Sequence, residues 1–156
     1  MKRKLLVLML VCACVLLCAC ANSATERFVF RNVNLGMSLE EVDNAESQAG
    51  EVLHETYIVM DVEAYGHRGD VVYSFDIEMS KLLDVTFQLE DGGYSEFNDM
   101  LSTLSDEYGT PDSNEDKRNE EYLPIHRVRW ITETEVVTLM YMNGETAVMI
   151  KANDGE

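Results

Sequence analysis

Apolar side chains recur at every second position through most of this chain, and at every third or fourth position in two short stretches. Val71, Tyr73, Phe75, Ile77 and Met79 alternate with Val72, Ser74, Asp76 and Glu78. Leu83, Val85, Phe87 and Leu89 alternate with Asp84, Thr86, Gln88 and Glu90. Upstream, Ile58, Met60, Val62 and Ala64 alternate with Val59, Asp61 and Glu63, and Gly66-His67-Arg68-Gly69 reads as the turn between strands. Period two with one wet face predicts antiparallel strands covered on one side only. Further strands are expected over 126–132, 136–142 and 147–151, the last two joined at Asn143-Gly144, a strong hairpin signal.

The helical stretches carry their own punctuation. Ser38 with Glu41 forms a capping box, Met37 and Val42 can staple it, and Leu39, Val42, Ala45 and Ala49 supply a narrow apolar stripe that Gly50 is expected to stop. In the second stretch Ser95 is the expected cap, Phe97, Met100, Leu101, Leu104 and Tyr108 fall at helical spacing, and Gly109 with Pro111 ends it. The order is helix, three strands, helix, three strands, with 28–33 as a lead-in or short edge strand. The expected fold class is therefore α+β: two tandem helix-then-three-strand units, about 34–91 and about 94–152, forming one open antiparallel sheet with two helices packed on one face.

Composition adds an address. Lys2, Arg3 and Lys4 precede an apolar run from Leu5 to Leu17, the layout of a secretory signal. Leu17-Cys18-Ala19-Cys20 resembles a bacterial lipobox. That resemblance implies a signal peptide over 1–19, lipidation of Cys20, a tether over 20–26 and a single domain over 27–156, exported and held on the extracytoplasmic side of a membrane. An uncleaved anchor would want about 20 apolar residues. All four cysteines (Cys12, Cys14, Cys18 and Cys20) lie in this segment, so the domain beyond it holds no disulfide. Cleavage before Cys20 would remove three basic groups and no carboxylate, taking the formal charge from −17 to −20. Such a surface repels nucleic-acid phosphates and does not lie flat on anionic lipid.

A second resemblance rests on Phe30-Arg31-Asn32-Val33, on Leu35-Gly36-Met37-Ser38-Leu39-Glu40-Glu41-Val42, and on Tyr108-Gly109-Thr110-Pro111. These resemble the helix entries and exits of the β-lactamase-inhibitory-protein-like fold, shared by small outer-membrane assembly lipoproteins of the SmpA/OmlA type. The resemblance implies a protein-binding module, either an assembly factor or an inhibitor. It carries over no active-site residue.

Catalytic chemistry finds little footing. His54, His67 and His126 fall in a loop, a turn and a strand start, with no nucleophile elbow near them. The 29 carboxylates sit mainly at wet strand positions and in first helical turns. Asp112-Ser113-Asn114-Glu115-Asp116 opens like a calcium loop, but Lys117 and Leu123 stand where glycine and a bidentate glutamate are needed, so a solvated acidic loop is expected. Arg68-Gly69-Asp70 is an adhesion-type tripeptide in an expected turn, where ordinary turn chemistry accounts for it. Trp130 alternates with Val128, a core pattern. No catalytic residue, metal or cofactor is expected.

The uncovered face of the sheet is the candidate partner-binding surface. Its first unit is expected to show Tyr57, Val59, Asp61, Glu63, Tyr65, Val72, Asp76, Glu78, Asp84 and Glu90, and its second Arg127, Arg129 and Ile131. Aromatic anchors among charges suit docking of an envelope or secreted protein. The expected function is a non-catalytic interaction module on an extracytoplasmic lipoprotein. The alternative is a small-ligand or metal-sensing lipoprotein, which a concave apolar pocket would favour.

Overall fold

The computed structural model describes residues 30–119 and 124–155. The expected signal segment, Cys20 and the expected tether lie outside the described residues. In chain order the elements are α1 (Leu39–Ala45), β1 (Glu51–Leu53), β2 (Thr56–Ala64), β3 (His67–Phe75), β4 (Leu82–Leu89), α2 (Tyr94–Tyr108), β5 (Ser113–Asp116), β6 (Ile125–Ile131), β7 (Glu135–Met142) and β8 (Glu145–Ala152). All eight strands join one antiparallel sheet in the order β1-β2-β3-β4-β8-β7-β6-β5.

This corrects the expected α+β class. The chain is mostly one eight-stranded sheet, richer in strand than two helices packed on six strands. Two strands escape the alternation, β1 because it is only three residues long and β5 because it is polar throughout. β1 is exposed at all three positions, and β5 reads Ser-Asn-Glu-Asp. Edge strands need no buried face, so no apolar alternation marks them. The acidic stretch expected as a loop is β5. Phe30 and Val33 form only an isolated bridge.

Helix coverage is also less than expected. α1 has the capping box, with Ser38 Oγ accepting from Glu41 N–H and the Glu41 carboxylate accepting from Ser38 N–H at 2.8 Å. It nevertheless runs only seven residues and buries Val42 alone. Gly50 does not stop it. The backbone leaves the helix at Glu46, and Gly50 serves close approach, because a Cβ there would lie 2.5 Å from the Tyr57 ring. α2 starts at Tyr94 behind Gly93 without a side-chain cap, not behind Ser95. It covers β7 and β8 with Phe97, Met100 and Leu104.

The core lies between the sheet and these helices. Tyr57, Val59, Val71, Tyr73, Val85, Phe87, Val128, Trp130, Val137, Leu139, Val148 and Ile150 point into it and follow one another across the ladders. Two-residue turns with positive φ at both positions, Tyr65-Gly66 and Asn143-Gly144, match the twist of their hairpins. The first is shorter than the expected turn at 66–69. Arg68-Gly69-Asp70 therefore belongs to β3, where a Cβ on Gly69 would meet the Gln88 carbonyl oxygen at 2.1 Å.

Candidate functional site: the bare face of the sheet

The bare face is laid out in rows by the strand register. One row runs Ile58, Val72, Thr86, Met149, Thr138, Arg129. A second runs Asp70, Gln88, Ala147, Met140, Arg127, Glu115. A third runs Ser74, Asp84, Lys151, Val136, Ile131. Most of these side chains are half-buried by their sheet neighbours. Val136 is buried, and Ile131 is half exposed.

The sequence-predicted residues divide between faces. Asp84, Arg127 and Arg129 stand on the bare face. Asp61 and Glu63 gather near one end of it around Arg68, which pairs with Asp61 and lies 3.9 Å from Glu90. Tyr57 and Val59 do not belong there; both are buried in the core. The reason is a bulge. Val59 faces Val71 and Val62 faces Gly69, so Met60 and Asp61 together oppose Asp70. Asp61 takes φ +57° and donates its N–H to the Asp70 carboxylate at 2.9 Å. One extra residue inverts the alternation, so Tyr57 and Val59 point inward before the bulge and Val62 after it.

Tyr65 is likewise on the core side, packed against Phe30 and Phe87 from its turn. Asp76 and Glu78 are off the sheet, in the connection between β3 and β4. Asp76 there accepts from Ser80 N–H at 2.8 Å and from the Ser80 hydroxyl at 2.9 Å, contacts that hold its carboxyl below the usual range.

The residues that sequence reasoning passes over lie on β7 and β8. Met140, Met149, Val136 and Lys151 join Arg127, Arg129 and Ile131 in an apolar field set with cations. Arg127 donates to Glu115 at 2.7 Å. Arg129 and Lys151 have no ion pair within 4.0 Å among the described residues. The signal is present in the sequence, because these strands carry apolar residues on both faces and the second set has no helix to meet. The β2–β4 half has the opposite sign, with Asp70 and Asp84 on the rows. Burial pushes the Asp84 carboxyl up, against the Ser74 hydroxyl bonded at 3.0 Å and the charge of Lys151.

The three histidines stay apart: His54 in the β1–β2 turn, His67 opening β3, and His126 buried under α2. Among the described residues no cluster of histidine, cysteine and carboxylate side chains is arranged to hold a metal, and no helix is long and apolar enough to cross a membrane. A hollow of about 340 Å³ on the bare face is walled by Met60, Asp61, Arg68, Gly69, Asp70, Gln88, Leu89 and Glu90, half of which are charged. No family model, curated protein or solved structure matches this chain.

Proposed function

We propose that this chain is an exported lipoprotein, anchored through Cys20, that works as a non-catalytic protein-interaction module of the cell envelope. Its role is assembly of envelope proteins or inhibition of an exported enzyme, and its docking surface is the bare face of the sheet. One observation carries the reading. In a chain of charge −17, the β5–β8 half of that face presents Arg127, Arg129 and Lys151 among Met140, Met149 and Val136. Methionine-rich apolar surfaces adapt to a partner, and like-signed charges at their margin select and orient it. Support for the address comes from the lipobox resemblance at Leu17-Cys18-Ala19-Cys20, and for the mode of use from the resemblance of the helix entries to assembly lipoproteins.

Crosslinking pull-down from native membranes tests the docking claim. Arg129→Glu and Asp84→Asn should each change the recovered proteins while the chain still unfolds as a cooperative unit on heating. Identical recovery from both variants and the parent chain would remove it. Fatty-acid labelling that survives Cys20→Ser would remove the anchor.

A further inference from the structure

Resting on that reading of the bare face, we infer that the partner docks there with an amphipathic helix, laid along β7, whose apolar stripe is flanked on both sides by carboxylates. The shape of the apolar ground selects a helix. β7 is apolar from Val136 to Met142 at every position but Thr138. Val137 and Leu139 face the core beneath α2. A strand apolar on both faces is the mark of one covered on both faces. The second set, with Val136, Met140 and Met142, has no helix to meet among the described residues.

Polar strands bound this ground on either side. β4 turns Asp84, Thr86 and Gln88 to the same face, and β5 turns Ser113 and Glu115. Between them lie β6 to β8, two strand spacings or about 10 Å across, and Val136 to Met142 runs about 20 Å. A helix is about 10 Å wide and covers 20 Å in about 14 residues. That is nearly the length of α2 on the opposite face, which has 15 residues. A second sheet would have to bury Asp84 and Gln88 as well. An added strand would need free backbone groups, and β6 to β8 use theirs in their ladders.

The margins fix the sign of the partner. Arg127 is already bonded to Glu115. Arg129 on β6 and Lys151 on β8 stand on opposite sides of β7, each without an ion pair within 4.0 Å among the described residues. Glu115 and Asp84 act on them only from further off. Carboxylates at both edges of a buried helical stripe reach these two cations at the rim, where charge selects and orients a partner.

The test uses the full chain in neutral-detergent micelles and two synthetic helical peptides of about 14 residues. Both carry the same leucine stripe with a benzophenone at its middle; one has glutamates on both flanks, the other lysines. On illumination the glutamate peptide should label the parent chain about tenfold more than the lysine peptide, with the adducts on Met140, Met142 or Met149. Joint Arg129→Glu and Lys151→Glu substitution should invert that preference. Joint Arg129→Gln and Lys151→Gln substitution, which adds no like charge to the face, should bring the two peptides level. Equal labelling of the parent chain by both peptides overturns the acidic helix. So does labelling confined to other strands, or none at all. If the pull-down still responds to Arg129→Glu in those cases, the docking surface stands and only its occupant is wrong. Absent labelling together with an unchanged pull-down removes both.

Discussion

The two halves of the covered face are closed by different means. Over β7 and β8, α2 lays Phe97, Met100 and Leu104 on Val137, Leu139, Val148 and Ile150, and the Trp130 indole N–H reaches the Gly109 carbonyl at the helix end at 2.9 Å. Over β2 and β3 there is no such helix. Glu46, just past α1, accepts from the Tyr73 hydroxyl and pairs with Arg31 at 3.2 Å, while Tyr57 donates to Asp43 and accepts from Gly50 N–H at 2.8 Å. Desolvation, with the Glu46 carboxylate beside it, pushes the Tyr73 phenol well above its ordinary range, so it stays a donor. The better-capped helix is the one that buries less. Capping sets where a helix begins, and the area of apolar face it can bury sets how much sheet it covers.

The apolar closure should break hardest. Trp130→Ala removes a side chain 1% exposed and should cost about 3–5 kcal/mol in chemical denaturation, a large share of the stability of a domain this size. The polar closure should give less. Glu46→Ala strands the Tyr73 hydroxyl and the Arg31 guanidinium. With the Arg31 side chain still 24% exposed to solvent, about 2–3 kcal/mol is expected, below the range for a fully buried pair. Glu46→Gln keeps an acceptor for Tyr73 and should recover about half of that. Equal losses for Glu46→Ala and Glu46→Gln would mean that charge, not the hydrogen bond, closes this half.

These halves differ in legibility for the same physical reasons. The second is built from long apolar alternations and a helical stripe, and its strands β6, β7 and β8 lie where the pattern puts them. The first is bent by features that periodicity does not encode. The bulge at Met60-Asp61 reverses the facing of β2 midway, yet apolar residues on both sides of the strand make the alternation read straight through it. Periodicity alone accordingly sends Tyr57 and Val59 to the wrong face. Gly50 reads like a helix stop because a glycine that admits an aromatic ring and one that adopts positive φ are the same letter. β1 is too short to show an alternation, and β5 is polar because at the sheet edge neither of its faces is buried. Of the candidate surface, the charges on long strands (Asp84, Arg127 and Arg129) are readable. The methionines are readable only as apolar residues on the second face of β7 and β8; the cross-strand register is what brings Met140 and Met149 beside the arginines.

A smaller effect is expected at the start of α1. Ser38→Ala removes the hydroxyl that accepts from Glu41 N–H and should cost about 1 kcal/mol. If α1 matters mainly as the element that presents Asp43 and Glu46, the loss should shrink in a Glu46→Ala background, because the helix would then have less to position. Full additivity in that double-mutant cycle would separate the cap from the polar closure.

The smallest predicted effect sits in the second half, where one polar group is enclosed by the apolar closure. The His126 ring lies tilted 4.5 Å from that of Phe97 and stacks on that of Tyr94 at 5.9 Å. Asn114 offers its carbonyl oxygen to Nε2 at 2.7 Å and the Tyr94 hydroxyl lies 3.1 Å from Nδ1, which assigns the proton to Nε2 and leaves Nδ1 to accept. The neutral ring is thus fully bonded. Burial holds its pKa below the ordinary 6.5; the Asp116 carboxylate opposes this, and Arg118, stacked over the Tyr94 ring, adds to it. A histidine with a lowered folded pKa binds fewer protons than its unfolded counterpart in the window just below 6.5. Its contribution is complete above that value and declines as pH falls toward the folded pKa. Denaturation midpoints measured between about pH 8 and about pH 5 should therefore fall more in the parent chain than in His126→Gln, whose carboxylates titrate alike. Parallel curves would show that the aromatic enclosure tolerates an imidazolium. The second half would then be as permissive of charge as the first, and the contrast between the two closures would be one of shape alone.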